Sequence, residues 1–126
     1  MCKLQNFDNI TVVIILYNSQ EVVGHCLDSL PKNQKIIFVD NCSSDSSVKI
    51  VKQLRPSAKI ILNKDNKGYG PAANQAFSIV NTTYVLLINP DAVMNSSSLL
   101  KLYQTAERNL NAGIIAPGKG WNLHLR

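Results

Sequence analysis

Four short apolar runs, each closed by a polar loop, constrain this chain more than any other feature of it. Residues 11–17 (Thr-Val-Val-Ile-Ile-Leu-Tyr), 35–39 (Lys-Ile-Ile-Phe-Val), 59–63 (Lys-Ile-Ile-Leu-Asn) and 84–88 (Tyr-Val-Leu-Leu-Ile) are rich in Val, Ile and Leu and do not alternate with polar residues. Continuous apolar runs of this length belong to strands covered on both faces, as in a parallel sheet. Between them the apolar positions recur at helical spacing. Val22, Val23, Cys26, Leu27 and Leu30 make one such face, stopped by Pro31, and Val48, Ile50, Val51 and Leu54 make a second, stopped by Pro56. Ala72, Ala73, Ala76, Phe77 and Val80 make a third of small residues suited to close packing, and Leu99, Leu100, Leu102, Tyr103 and Ala106 a fourth. Ser19, Ser44 or Asp45, and Ser96 to Ser98 are expected as helix caps, and Pro71 as a first helical residue. Residues 112–116 read as a fifth short strand. Strand followed by helix, repeated with short connections, specifies an α/β fold with a mostly parallel sheet, helices on both faces and right-handed crossovers.

With 126 residues and 45% hydrophobic content the chain can build a single core. Its net charge is +5, which suits an anionic ligand or surface, but the lysines are dispersed and not interleaved with aromatic residues, so nucleic acid is not an expected partner. Cys2, Cys26 and Cys42 are odd in number and have no Cys-x-x-Cys spacing, so neither a disulfide framework nor a zinc site is expected and a cytoplasmic setting is the default. No run approaches the roughly 20 apolar residues of a membrane span, so any membrane contact would be peripheral.

In a parallel sheet all the strand-to-helix loops gather on one edge, where ligands bind. That rim would carry Asn18, residues 40–45, residues 64–70 and Asn89-Pro90-Asp91. Asp91, just past a strand that Pro90 must end, can offer oxygen to a divalent cation, although Asn-Pro-Asp is also ordinary turn punctuation. The sequence contains neither Gly-x-x-x-x-Gly-Lys-Ser/Thr nor, after the first strand, Gly-x-Gly-x-x-Gly, which disfavours a P-loop hydrolase and a dinucleotide dehydrogenase.

Four segments in order, Ile15-Leu-Tyr-Asn18, Val39-Asp-Asn-Cys-Ser-Ser-Asp-Ser46, Asn66-Lys-Gly-Tyr-Gly-Pro-Ala-Ala-Asn74 and Leu86-Leu-Ile-Asn-Pro-Asp-Ala92, resemble family-2 glycosyltransferases of the Rossmann-like GT-A fold. The Asn-Pro-Asp form is similar to rhamnosyltransferase-like members. The resemblance covers residues 11–117, leaving 1–10 as a lead-in and 118–126 as an irregular tail. It implies binding of a nucleotide-diphosphate sugar, with deoxythymidine-diphosphate-rhamnose the leading donor. The sugar would pass with inversion to a cell-surface polysaccharide or lipid-linked glycan. By this resemblance Asp40 contacts the nucleotide, and Tyr17 and Asn18 line its pocket. Asn66, Gly68 and Gly70 approach the diphosphate-sugar, with Asn74 behind them. Asp91 is the ligand to Mg2+ or Mn2+, and Asn89 stands where the family usually has a second acid. The family's catalytic base lies beyond the fifth strand, so the fold is expected to be incomplete on its C-terminal side and the fragment doubtful as a catalyst alone. His124 is the only candidate base in the tail. The rival expectation is a noncatalytic binding module whose uncovered apolar surface leads to self-association.

Overall fold

The computed structural model describes residues 7–118. Their elements alternate as expected: β1 (Ile10–Leu16), α1 (Val23–Ser29), β2 (Lys35–Asp40), α2 (Ser47–Leu54), β3 (Lys59–Leu62), α3 (Tyr69–Phe77), β4 (Tyr84–Ile88) and α4 (Ser96–Arg108). The chain divides into two compact units, the first ending at Val93 and the second beginning at Met94, so the strands and the first three helices share one unit while α4 belongs to the other.

The strands form one sheet in the order β3-β2-β1-β4, and all three pairings are parallel. β1 lies between β2 and β4 and all seven of its residues are buried, which is why its sequence does not alternate. The edge strands β3 and β4 are less covered, with Leu62 58% and Val85 40% exposed. In β1 and β2 one set of alternate residues, Val13, Ile15, Ile37 and Val39, packs with Ala72, Ala73 and Ala76 of α3. Alanines at these positions let the helix backbone approach the sheet closely. The other set, Val12, Ile14, Leu16, Ile36 and Phe38, is equally buried and points to the opposite face. Two crossovers lead from β1 through β2 to β3, and the third returns from β3 to β4. α1 and α2 pack on each other and α3 packs on β1 and β2; with right-handed crossovers the reversal of direction puts the two groups of helices on opposite faces. Burial of a side chain such as Phe38 or Ile14 contributes about 1.5–3 kcal/mol.

Helix starts depart from the caps read in the sequence. α1 begins at Val23 with Val22 as its uncapped N-cap, because Ser19 Oγ is engaged with the backbone of Tyr17 and the Ser19 carbonyl instead closes a turn with the N–H groups of Val22 and Val23. α2 has Ser46 at its N-cap, while Asp45 accepts from Ser47 N at 2.9 Å one position inside the helix. α3 starts at Tyr69, two residues before Pro71. Proline is still accommodated there, since the first-turn N–H groups have no intrahelical partner. α4 is capped by Asn95, whose Oδ1 accepts from Ser98 N at 2.9 Å, and not by Ser96 to Ser98. Residues 112–116 are not a strand. A strand needs a neighbour to share its ladder, and here Ile114 is 91% exposed. Cys2, His124 and most of the expected tail lie outside the described residues. No helix among the described residues is long and apolar enough to cross a membrane.

Candidate functional site

Because β1 sends the chain toward β2 while β4 joins its other side, the strand order reverses between β1 and β4, and a crevice opens at their carboxyl ends. A cleft of about 560 Å3 occupies this position. The loop after β1 contributes Tyr17, Asn18 and Ser19 to it, and the loop after β2 contributes Asn41. The loop after β3 contributes Asn66, Gly68 and Tyr69, and the end of β4 supplies Asn89, Pro90 and Asp91. Six residues singled out in the sequence, Tyr17, Asn18, Asn66, Gly68, Asn89 and Asp91, are therefore brought together in one cleft. Gly70 and Asn74 are not part of its lining; both lie in α3. Asp40 is not in the lining either. It ends β2 only 3% exposed, its Oδ2 accepts from Ser43 N at 3.0 Å, and its Oδ1 has no partner among the described residues.

The loops after β1 and β2 are zipped together. Asn18 N donates to Ser43 Oγ at 3.0 Å and Asn18 Oδ1 accepts from Ser44 N at 2.8 Å, while Ser19 N donates to Ser47 Oγ at 2.7 Å. Gln20 N donates to Asp45 Oδ2 at 3.0 Å, and Gln20 Oε1 accepts from Ser46 N. Desolvation is the largest single influence on the Asp45 carboxyl and raises it, but the hydrogen bonds from Ser47 and Gln20 together outweigh it and hold the group below the usual carboxylate range. Two non-glycine residues in these loops take left-handed backbone, Asn18 at φ 49° and Cys42 at φ 67°. Asparagine tolerates that region; cysteine does so at a cost.

The β3–α3 loop is shaped by an Asx turn in which Asn66 Oδ1 accepts from Gly68 N at 2.9 Å. Gly68 has φ 82°, so this position requires glycine for its backbone, with space to spare for a side chain. It leads directly into α3, whose first-turn N–H groups have no helical acceptors and suit an anionic oxygen. On the opposite wall the Asn89 carbonyl accepts from Ala92 N at 3.0 Å and from Cys26 Sγ at 3.7 Å, holding the turn that carries Asp91. Burial, then the nearby Asp91 charge, pushes the Cys26 thiol up to about 11, so it remains a donor at neutral pH.

Asp91 is the one acidic residue in the lining, and no group of three or more His, Cys, Asp or Glu residues converges among the described residues. A hard cation could take one carboxylate and the Asn89 amide oxygen from this chain, and would draw the rest of its six or more oxygens from a bound ligand. Asn41 and Tyr69 were not identified as site residues from sequence. The sequence placed them on the rim only as members of residues 40–45 and 64–70, with no separate signal of their own.

The family described as Glycosyl transferase family 2 matches residues 11–123. The chain belongs to this family. It is 32% identical over 123 residues to the poly(ribitol-phosphate) beta-glucosyltransferase of Bacillus spizizenii, covering 90% of this chain and 19% of that protein. It is 25% identical over 118 residues to the teichoic acid poly(glycerol phosphate) polymerase of Staphylococcus epidermidis, covering 87% of this chain and 16% of the polymerase. The chain thus spans less than a fifth of either relative. The crystal structure of Staphylococcus aureus TarS residues 1–349 superposes with a TM-score of 0.71 at 23% identity, over 86% of this chain and 38% of that one. TarS 1–349 in complex with UDP-GlcNAc matches with the same TM-score over 37% of its length. These likenesses establish the GT-A fold, of which the present sheet is a part.

Proposed function

We propose that the cleft at the β1–β4 switch point is the donor site of an inverting glycosyltransferase, and that residues 11–117 form its nucleotide-sugar-binding portion. The observation that carries this reading is the convergence of four loops on one cleft with a glycine turn and a helix start on one wall and a lone carboxylate on the other. Those two walls are the chemistry that a diphosphate flanked by a nucleoside and a sugar needs. Tyr17, 54% exposed at the cleft, offers an aromatic face to the base, and Asn18 an amide beside it. Asp40 has one buried, unpartnered oxygen that a base or ribose donor would satisfy, which gives a physical reason for its role although it lies behind the lining. Gly68 and Asn66 bring backbone to the diphosphate. Gly70 and Asn74 lie in α3, the helix that follows that loop.

Asp91, with Asn89 beside it, would hold Mg2+ or Mn2+ in concert with the diphosphate, and the cation would supply charge to offset the departing nucleotide. In the transfer itself an acceptor hydroxyl oxygen bonds to the anomeric carbon as the bond to the diphosphate breaks, and the hydroxyl proton passes to a base. No second carboxylate lines the cleft, so that base is not among the lining residues.

For the donor, the glucosyl- and N-acetylglucosaminyl-transferase relatives and the UDP-bound TarS structure support a uridine-diphosphate hexose. The deoxythymidine-diphosphate-rhamnose reading rests on the Asn-Pro-Asp form alone. Relatives named for poly(ribitol-phosphate) and teichoic acid support an anionic cell-surface polymer as the acceptor. Calorimetric titration with uridine and deoxythymidine diphosphates is the test. Saturable binding with uridine diphosphate at least several-fold tighter is expected, and Asp40→Asn should weaken it. Equal indifference to both nucleotides by a folded chain would overturn the reading, and a stable oligomer in gel filtration would then favour a noncatalytic interaction module.

A further inference from the structure

From Asn41 in the cleft lining inward, three side-chain amides form a chain that the donor-site reading leaves unused. Asn41 Nδ2 donates to the Gly68 carbonyl at 3.1 Å, and Asn41 Oδ1 accepts from Asn63 Nδ2 at 2.9 Å. Asn63 and Gln75 then pair reciprocally, Asn63 Nδ2 donating to Gln75 Oε1 at 2.8 Å and Gln75 Nε2 to Asn63 Oδ1 at 2.9 Å. The relay runs from α3 past the end of β3 to the end of β2 and back to the glycine loop. Its direction is set at one end: the Gly68 carbonyl can only accept, so Asn41 must present its NH2 there, which turns its oxygen toward Asn63 and aligns the next amide in turn. Both backbone anchors are fixed by the sheet, since Asn41 N donates to Leu16 O at 2.8 Å and Asn63 N to Asp40 O at 2.9 Å. Asn41 is 3% exposed, so its amide loses water on folding and depends on these partners.

We infer that Gln75, Asn63 and Asn41 are positioning residues that hold the Gly68–Tyr69 corner at the height a diphosphate requires, so that Gln75, outside the cleft lining, controls donor affinity. The inference deepens the donor-site reading and rests on it. The Gly68 carbonyl already accepts from Ala72 N at a long 3.3 Å, and Gly68 itself has the freest backbone in the loop. The Asn41 amide is the contact that ties this hinge to the rigid sheet. Asn41→Asp would set a carboxylate against the carbonyl, but Asn41 also lines the cleft, so the discriminating substitution is at Gln75.

Gln75 is partly exposed and helical, so Gln75→Ala should fold, and Gln75→Met keeps the side-chain length without the hydrogen bonds. Two readouts are needed, hydrogen exchange at the Gly68 and Ala72 amides, which donate to Asn66 Oδ1 and the Gly68 carbonyl, and titration with uridine diphosphate in the presence of Mn2+. Both variants should exchange faster in that loop and bind about three- to tenfold more weakly, the loss expected of about one hydrogen bond. Combined with Asn41→Ala, the loss in affinity should be smaller than the product of the two single losses, although the two residues share no hydrogen bond. Unchanged exchange, or faster exchange with unchanged affinity, overturns the inference. An unsubstituted chain that binds no nucleotide refutes the donor reading by itself, and the exchange data still decide whether the relay holds the loop.

Discussion

Removing the Arg55 guanidinium should release the carboxyl end of α1. This helix is only seven residues long and has no side-chain cap at its N-terminus, so little in its own sequence sustains it. Arg55, at the end of α2, reaches across to it. Its Nη1 donates to Pro31 O at 2.8 Å and Lys32 O at 3.1 Å, and its Nη2 to Leu27 O at 2.6 Å and Leu30 O at 3.3 Å. These are carbonyls of the last turn of α1 and the residues just after it, where the helix dipole is negative. Burial lowers the Arg55 pKa, with Asp28 opposing the change, which reflects a guanidinium partly removed from water. Charged hydrogen bonds contribute about 1.5–3 kcal/mol each, but four sharing one group are not additive and water replaces some of them. Arg55→Met should therefore cost about 2–4 kcal/mol, which is a fall of about 1–2 M in the urea midpoint at a slope near 2 kcal/mol/M. Arg55→Lys should recover less than half of the loss, since one ammonium cannot span four carbonyls as a planar fork does. Equilibrium urea unfolding followed by circular dichroism reads the change. A loss below about 0.5 kcal/mol for Arg55→Met would refute the idea that this clamp sustains α1.

Other perturbations act at single positions. Burial raises the Cys26 thiol from an ordinary value near 9.0 in the unfolded chain to about 11 in the fold, so this contribution to stability is present below pH 9 and should fall by about 2 kcal/mol as pH rises from 9 to 11. In Cys26→Ser, denaturant titrations across that range should lose most of the slope. Cys42→Gly should be neutral or stabilising by up to about 1 kcal/mol in thermal unfolding, because relief of left-handed strain (about 1–2 kcal/mol) exceeds the added freedom of the unfolded chain. Gly68→Ala should be destabilised by about 1–2 kcal/mol and bind uridine diphosphate more weakly. There the backbone angle, not crowding, excludes a side chain.

The strands were legible because burial on both faces leaves an unalternated run. β4 was read with its observed bounds, and β1 and β2 differ from their expected bounds by a residue. Helix starts were less legible, since Ser19 and Asp45 form hydrogen bonds between loops that are distant in sequence. Residues 112–116 have the composition of a strand, but composition does not supply a neighbouring ladder. The rim of the site could be read because parallel topology alone gathers its loops. What escaped was tertiary: the burial of Asp40 behind the lining and the pairing of Asn63 with Gln75, which no motif spacing announces.

The most direct test of a metal-assisted donor site is titration of the chain with uridine diphosphate, with and without Mn2+, beside the same titration of Asp91→Asn. The account predicts saturable binding that Mn2+ strengthens at least about tenfold in the unsubstituted chain, with that gain abolished in a folded Asp91→Asn, since one carboxylate anchors the cation. Binding that ignores Mn2+, or that keeps its Mn2+ dependence in Asp91→Asn, would contradict the assignment of Asp91 and with it the mechanism proposed for the cleft.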